Sequence, residues 1–334
     1  MRRKSHVQFC NGGGAGDCST DRNQADRRFA RVNARRLDSS SSWLAWDNLP
    51  GPRGGLSPLP LGASFSIGGA IMAIKFALIT QSNVDAVAKI VKRQQSHRIV
   101  VERRENNVDI PGSPSTVTKE NLWHAHMLCL LTSQQPSGEG DPVSILLNED
   151  PFPLSYKQCQ RADDTSKFVR NILHQYPGIR FRDNRIPNMA ATNFARLEAD
   201  EWKEIKQHGE WLRKRRRILH DWNNYAPIHK TEEEACEYMD GYEGFGPKQS
   251  RNFWQALGLT RYVSVLDSRV KKWCEQNLQG DWSAFNISRR KNYADMADTT
   301  RELCRKADVL PCMFDAAVFS TFEKDPRSAS WCRW

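Results

Sequence analysis

Lys248 and Asp267 stand nineteen positions apart and offer an amine and a carboxylate, the pair that nucleophilic chemistry with charge stabilisation needs. Lys248 belongs to GFGPK, where Pro247 suits the first position of a helix and so puts the lysine in that helix's first turn. The helix dipole disfavours a cation there, so the amine loses its proton more easily than a solvated lysine does. A neutral amine is a nucleophile. Asp267 follows the apolar run 263–266 in VSVLDSRVKKW and reads as the N-cap of another helix. Taken singly, Lys248 is a surface lysine and Asp267 a cap.

The elements around them point to an all-α chain. Thr231 with Glu234 forms a capping-box pattern, so a short helix starts there and ends at Gly241. Gly244-Phe245-Gly246 then gives a tight turn before the second helix, and the whole unit spans residues 231–258. Gly244 and Gly246 permit positive φ and close backbone approach, so that amides at the next helix start can hold a phosphate. Upstream, helical spacing covers residues 84–101, with ERRENN and IPGSPS as a turn-rich connection. NLWHAHMLCLLTSQQ reads as a buried helix ending at polar Gln134, Gln135 and Pro136. Helices follow at 165–174 and 197–218, separated by the loop YPGIRFRDNRIPN. Strand-like alternation is scarce.

The chain has 334 residues and a formal charge of +10, which suits a polyanionic partner without requiring one. The excess is shared evenly between residues 1–71 and the rest. The first 71 residues are rich in Arg, Gly and Ser with little apolar period, and are expected to be a disordered or non-native extension. Residues 61–79 are apolar but are interrupted by Lys75, so the first folded element is expected near 73–80 in preference to a membrane span. The catalytic unit is then 72–334. Nine cysteines show no C-x-x-C spacing, which fits reduced thiols in the cytoplasm. His124 and His126 do not share a helical face, so no zinc site is expected, and the tryptophans, Trp211 among them, read as core.

The segment 231–274 resembles the helix-hairpin-helix DNA glycosylases, whose bifunctional members carry a lysine directly after G-x-G-x and an aspartate past the second helix. The likeness implies two helical subdomains with a cleft between them. It also implies that Lys248 forms a Schiff base with deoxyribose and that Asp267 assists. LLTSQQPSG resembles the family's buried helix end, which gives Gln134 the role of filling the space left by an extruded nucleotide. ADVLPCMFDAAVFSTF resembles the closing helix of 8-oxoguanine glycosylase/lyases, which shapes the base pocket. Phe314 and Asp315 are candidates there, with core aromatic and N-cap as the structural alternatives. Asn252 lies one turn beyond Lys248 on the same face, whereas Gln249 and Ser250 point elsewhere and Arg251 reaches toward DNA backbone. Arg269 replaces a histidine common in the family; it can bind phosphate but does not titrate near neutral pH.

The resemblance therefore implies a monomeric base-excision enzyme in the cytoplasm, associated with the nucleoid, with no cofactor. Its partner is duplex DNA carrying a damaged base, with 8-oxoguanine favoured. The spacing of the C-terminal cysteines is too irregular for an iron–sulfur cluster. The alternatives are a non-catalytic DNA-binding protein that keeps only the hairpin, and a monofunctional glycosylase that uses water.

Overall fold

The computed structural model describes residues 78–109 and 117–323. The expectations for the 1–71 extension, for the apolar stretch up to residue 77 and for IPGSPS at 110–115 lie outside the described residues. Those residues form an all-α structure with no strand among them. None of their helices is long and apolar enough to cross a membrane.

Helix α1 (Gln81–Gln94) starts where the Thr80 hydroxyl accepts from Asn83 N, and buries Val84, Val87 and Ile90 along one stripe. After a short break, α2 (Arg98–Asn107) runs on through ERRENN, which corrects the turn-rich expectation for that segment. Its glutamates and arginines are good helix formers, and Glu105 stands on the exposed side. Ile99, Arg103 and Asn107, four residues apart, share the inward side. Asn107 Nδ2 donates to Gln255 O at 3.0 Å and to Thr260 O at 2.8 Å.

Helix α3 (Lys119–Leu131) is capped by Thr118 and buries nine of its side chains, so it runs through the interior. Helices α4 (Pro142–Leu147), α5 (Tyr156–Arg161) and α6 (Thr165–Leu173) follow. Helix α7 (Arg185–Arg196) begins inside the stretch expected to be a loop. Pro187 fits there because the amides of a helix's first turn have no intrahelical acceptor, so the missing N–H removes no bond. A kink at Ala199 and Asp200, whose backbone angles are non-helical, joins α7 to α8 (Trp202–Arg216). The remaining α-helices are α9 (Ala226–Met239), α10 (Pro247–Ala256), α11 (Ser268–Asn277), α12 (Arg290–Lys306) and α13 (Pro311–Ser320).

The buried side chains form two hydrophobic clusters. The first gathers the middle of the chain around α3 and α10, with Trp123, Leu128, Phe253 and Trp254 at its centre. The second joins α1 and α2 to α11, α12 and α13. The chain thus leaves the second cluster after α2, builds the first, and returns through 259–266. Asn83 fastens the two ends of this path: its side-chain amide donates to Leu78 O and Gln279 O, both at 2.8 Å, and accepts from Gln279 N at 2.7 Å. Trp123, Trp202, Trp254 and Trp273 are core as expected, but Trp211 is 43% exposed and is not. Cys129, Cys159, Cys236, Cys274, Cys304 and Cys312 are buried free thiols.

Candidate active site

The site is built on α9, the turn after it and α10. Helix α9 begins at Ala226, five residues before the expected capping box, because Pro227 sets its first turn. Thr231 is therefore mid-helix, and its hydroxyl donates to Pro227 O at 3.0 Å in place of capping anything. In the turn, Gly244 has φ +80, and a Cβ there would lie 2.7 Å from Leu130 Cδ2 and 2.8 Å from Met189 Sδ. Only glycine fits. Gly246, by contrast, is extended (φ −146, ψ −177), and an added Cβ would meet nothing within 4 Å. Asn193 clamps the turn, accepting from Glu243 N and donating to Glu243 O, each at 2.9 Å.

Pro247 opens α10 as expected and delivers Lys248 to the wall of a cavity of about 1290 Å³. Burial lowers the Lys248 ammonium from the ordinary lysine range; Asp267 opposes this and Arg269 adds to it. Loss of hydration thus leads the shift that the sequence assigned to the helix dipole.

Asp267 lines the same cavity. As the N-cap of α11 it accepts from Arg269 N at 2.9 Å and Val270 N at 3.1 Å through Oδ1. Its Oδ2 accepts from Arg269 Nε at 2.8 Å and Nη2 at 2.7 Å. Burial pushes the carboxyl up, but Arg269, Lys248 and these hydrogen bonds outweigh it and hold Asp267 below the usual carboxylate range. The cap and the charged partner are one residue. Arg269 also stacks over Phe319, 3.7 Å from the ring centroid.

Gln134 reaches the cavity from the end of α3 with φ +60, its Oε1 accepting from Arg185 Nη1 at 3.0 Å. Gly244, Gly246, Asn252 and Asp315 line the cavity as well.

Two candidates do not. Arg251 is 6% exposed, ion-paired to Glu233, donates to Pro247 O at 3.0 Å and lies over the Tyr293 ring; this places it in the packing between helices and corrects its assignment to DNA backbone. Phe314 is 1% exposed and packs edge-on against Trp273, which makes it core, not pocket. Gln249, expected to point elsewhere, lines the cavity, while Ser250 points away into bonds with Asp240 and Gly246 O.

Asp315 lies inside α13, which starts at Pro311, so it is not an N-cap. Its Oδ2 accepts from Gln255 Nε2 at 2.9 Å and from Val265 N at 2.7 Å. Burial raises its carboxyl to about 6, against the pull of Arg103 and these two donors. Sequence reasoning missed Arg103, Gln255 and Phe319, all in the cavity wall. The available signal was helical spacing: Phe319 is one turn beyond Asp315, and Arg103 one turn from apolar Ile99.

Among the described residues no group of three His, Cys, Asp or Glu is placed to hold a metal. The cavity instead joins an amine of reduced basicity, a carboxylate kept ionised, and polar side chains from both clusters. This arrangement suits nucleophilic attack with a developing positive charge close by. Comparison of the chain with protein-family models, with curated proteins and with solved structures finds no match, so the functional reading rests on this cavity.

Proposed function

We propose that the chain is a bifunctional DNA glycosylase with AP-lyase activity, acting as a monomer on duplex DNA that carries a damaged base. In this reading the two clusters are the cores of two helical subdomains, the cavity is the cleft between them, and α9–turn–α10 is a helix-hairpin-helix. The observation that carries it is the convergence of Lys248 and Asp267 on one cavity, with the amine's proton affinity lowered by burial.

The target nucleotide leaves the stack, at a cost of a few kcal/mol, and Gln134 fills the vacated space. Amides at the start of α10 hold a backbone phosphate without reading sequence. Lys248 Nζ, unprotonated, bonds to C1′ as the C1′–N bond to the base breaks, and the base departs with a proton. The C1′–O4′ bond then breaks, O4′ taking a proton from water, and the sugar opens to an iminium between Nζ and C1′. Loss of a C2′ proton then expels the 3′ phosphate by β-elimination. Asp267 stabilises the cationic stages, and because its own carboxyl is held ionised it does so across the neutral range. The base class implied by the resemblance is oxidised, with 8-oxoguanine first.

Duplexes bearing a panel of lesions, with an abasic duplex beside them, test this when incubated with the protein and borohydride. A covalent adduct formed by the wild type and lost in Lys248→Gln is the expected result. Tight binding with no adduct on any duplex would leave a hairpin used for DNA binding alone.

A further inference from the structure

The part of the cavity wall that α2 contributes carries a cation that the reaction above does not use. Arg103 projects from α2 between two fixed points on the same helical face. Ile99 is buried one turn before it, and Asn107 is anchored one turn after it to Gln255 O and Thr260 O. Arg103 is half-buried and lines the cavity, and its charge acts on Asp315. Among the described residues its guanidinium has no ion-pair partner in contact. On Asp315 both hydrogen bonds fall on Oδ2, and among the described residues Oδ1 has none.

A donor fork and a carboxylate oxygen thus face one space. They complement an edge on which a carbonyl oxygen adjoins a ring N–H, as in keto purines and keto pyrimidines. An amino base reverses that pattern. Its exocyclic NH2 would meet the guanidinium, and its bare ring nitrogen the carboxylate, leaving buried polar groups unpaired.

Building on the glycosylase reading, we propose that Arg103 is a specificity-determining residue: its guanidinium donates to the carbonyl oxygen of the extruded base while Asp315 Oδ1 accepts from the neighbouring ring N–H. Charge-assisted hydrogen bonds of this kind contribute on the order of tenfold to a hundredfold in discrimination.

The test uses duplexes containing 5-hydroxyuracil or 5-hydroxycytosine, which differ at one keto or amino group, with 8-oxoguanine and a pre-formed abasic site alongside. Wild-type protein is expected to release the keto pyrimidine roughly tenfold or more faster than the amino one. Arg103→Ala is expected to lower the ratio of keto-base release to abasic-site trapping by roughly tenfold to a hundredfold. Arg103→Lys, which keeps the charge but not the fork, recovers part of it.

An unchanged ratio in Arg103→Ala, a preference for 5-hydroxycytosine, or a wild type that traps the abasic duplex yet releases no keto base overturns the proposal. Failure of the wild type to trap even the abasic duplex is a different result, which removes the lyase reading and the proposal with it.

Discussion

The two walls of the cavity are made differently. The wall with Lys248, Asp267 and Gln134 consists of helix starts, a helix end and a turn, places where backbone geometry dictates which residue types fit. The wall with Arg103 and Asp315 consists of mid-helix positions held by packing and by side-chain amides from other elements. In the proposed reaction the first wall acts on the sugar, with its amine and carboxylate at helix termini. The second is proposed to hold the base, its polar groups being set among apolar side chains. Local geometry positions the first wall; tertiary packing positions the second.

Asp267→Asn gives the largest change and tests whether the first wall works by charge. Asparagine keeps the helix cap through Oδ1 but sets its amide NH2 against the Arg269 guanidinium, so some stability is lost as well, and rates are compared on folded protein. Release and trapping should fall roughly a hundredfold to a thousandfold, as for loss of one charge-stabilising group. The carboxylate raises the Lys248 pKa, so removing it leaves the amine less basic still. The rising limb of the trapping rate against pH should therefore move to lower pH even as the plateau drops. A limb that moves upward would show that the two groups do not interact as described.

Asp315→Asn tests the second wall. Its carboxyl is raised from 3.8 to about 6, so the protonated form is favoured by folding. The stability it contributes is full below about pH 4 and is lost as pH rises through about 6, by about 3 kcal/mol for this buried group. Thermal unfolding followed from pH 4 to 7.5 should show this downward slope in the wild type and a flatter one in the variant. Equal slopes would place the carboxyl in water and not in the wall.

The smallest effect separates two glycines of one turn. Gly244→Ala forces a side chain onto a positive φ and against Leu130 and Met189, and should cost about 1–3 kcal/mol in chemical denaturation. Gly246→Ala meets open space with extended backbone and should cost a few tenths of a kcal/mol. Similar losses at both would mean that the turn is not clamped as Asn193 and Gly244 indicate.

The same division explains what the amino-acid sequence reveals. Pro247, Gly244 and the Asp267 cap are local devices with sequence signatures, and they are found where the spacing put them. Lys248 came with them, although loss of hydration, which no local pattern displays, leads its shift. Arg103 escaped because ERRENN looks like a connection until Ile99 and Asn107 are seen to anchor its helix from either side. Phe314 and Phe319 are equally aromatic; only the rotation of α13 makes one core and the other wall. Arg251 carries the charge expected of a phosphate contact but is buried by Glu233 from a neighbouring helix. The start of α9 was misplaced because Thr231 and Glu234 fit a cap pattern, while Pro227 four residues earlier had already begun the helix.

Mapping the borohydride-reduced adduct by peptide mass spectrometry on wild-type protein and an abasic duplex decides whether the Lys248 amine is the nucleophile. A single modified residue, Lys248, is expected, with no adduct in Lys248→Gln at equal thermal stability. A cross-link on any other amine of the chain, or one that survives in that variant, would contradict it.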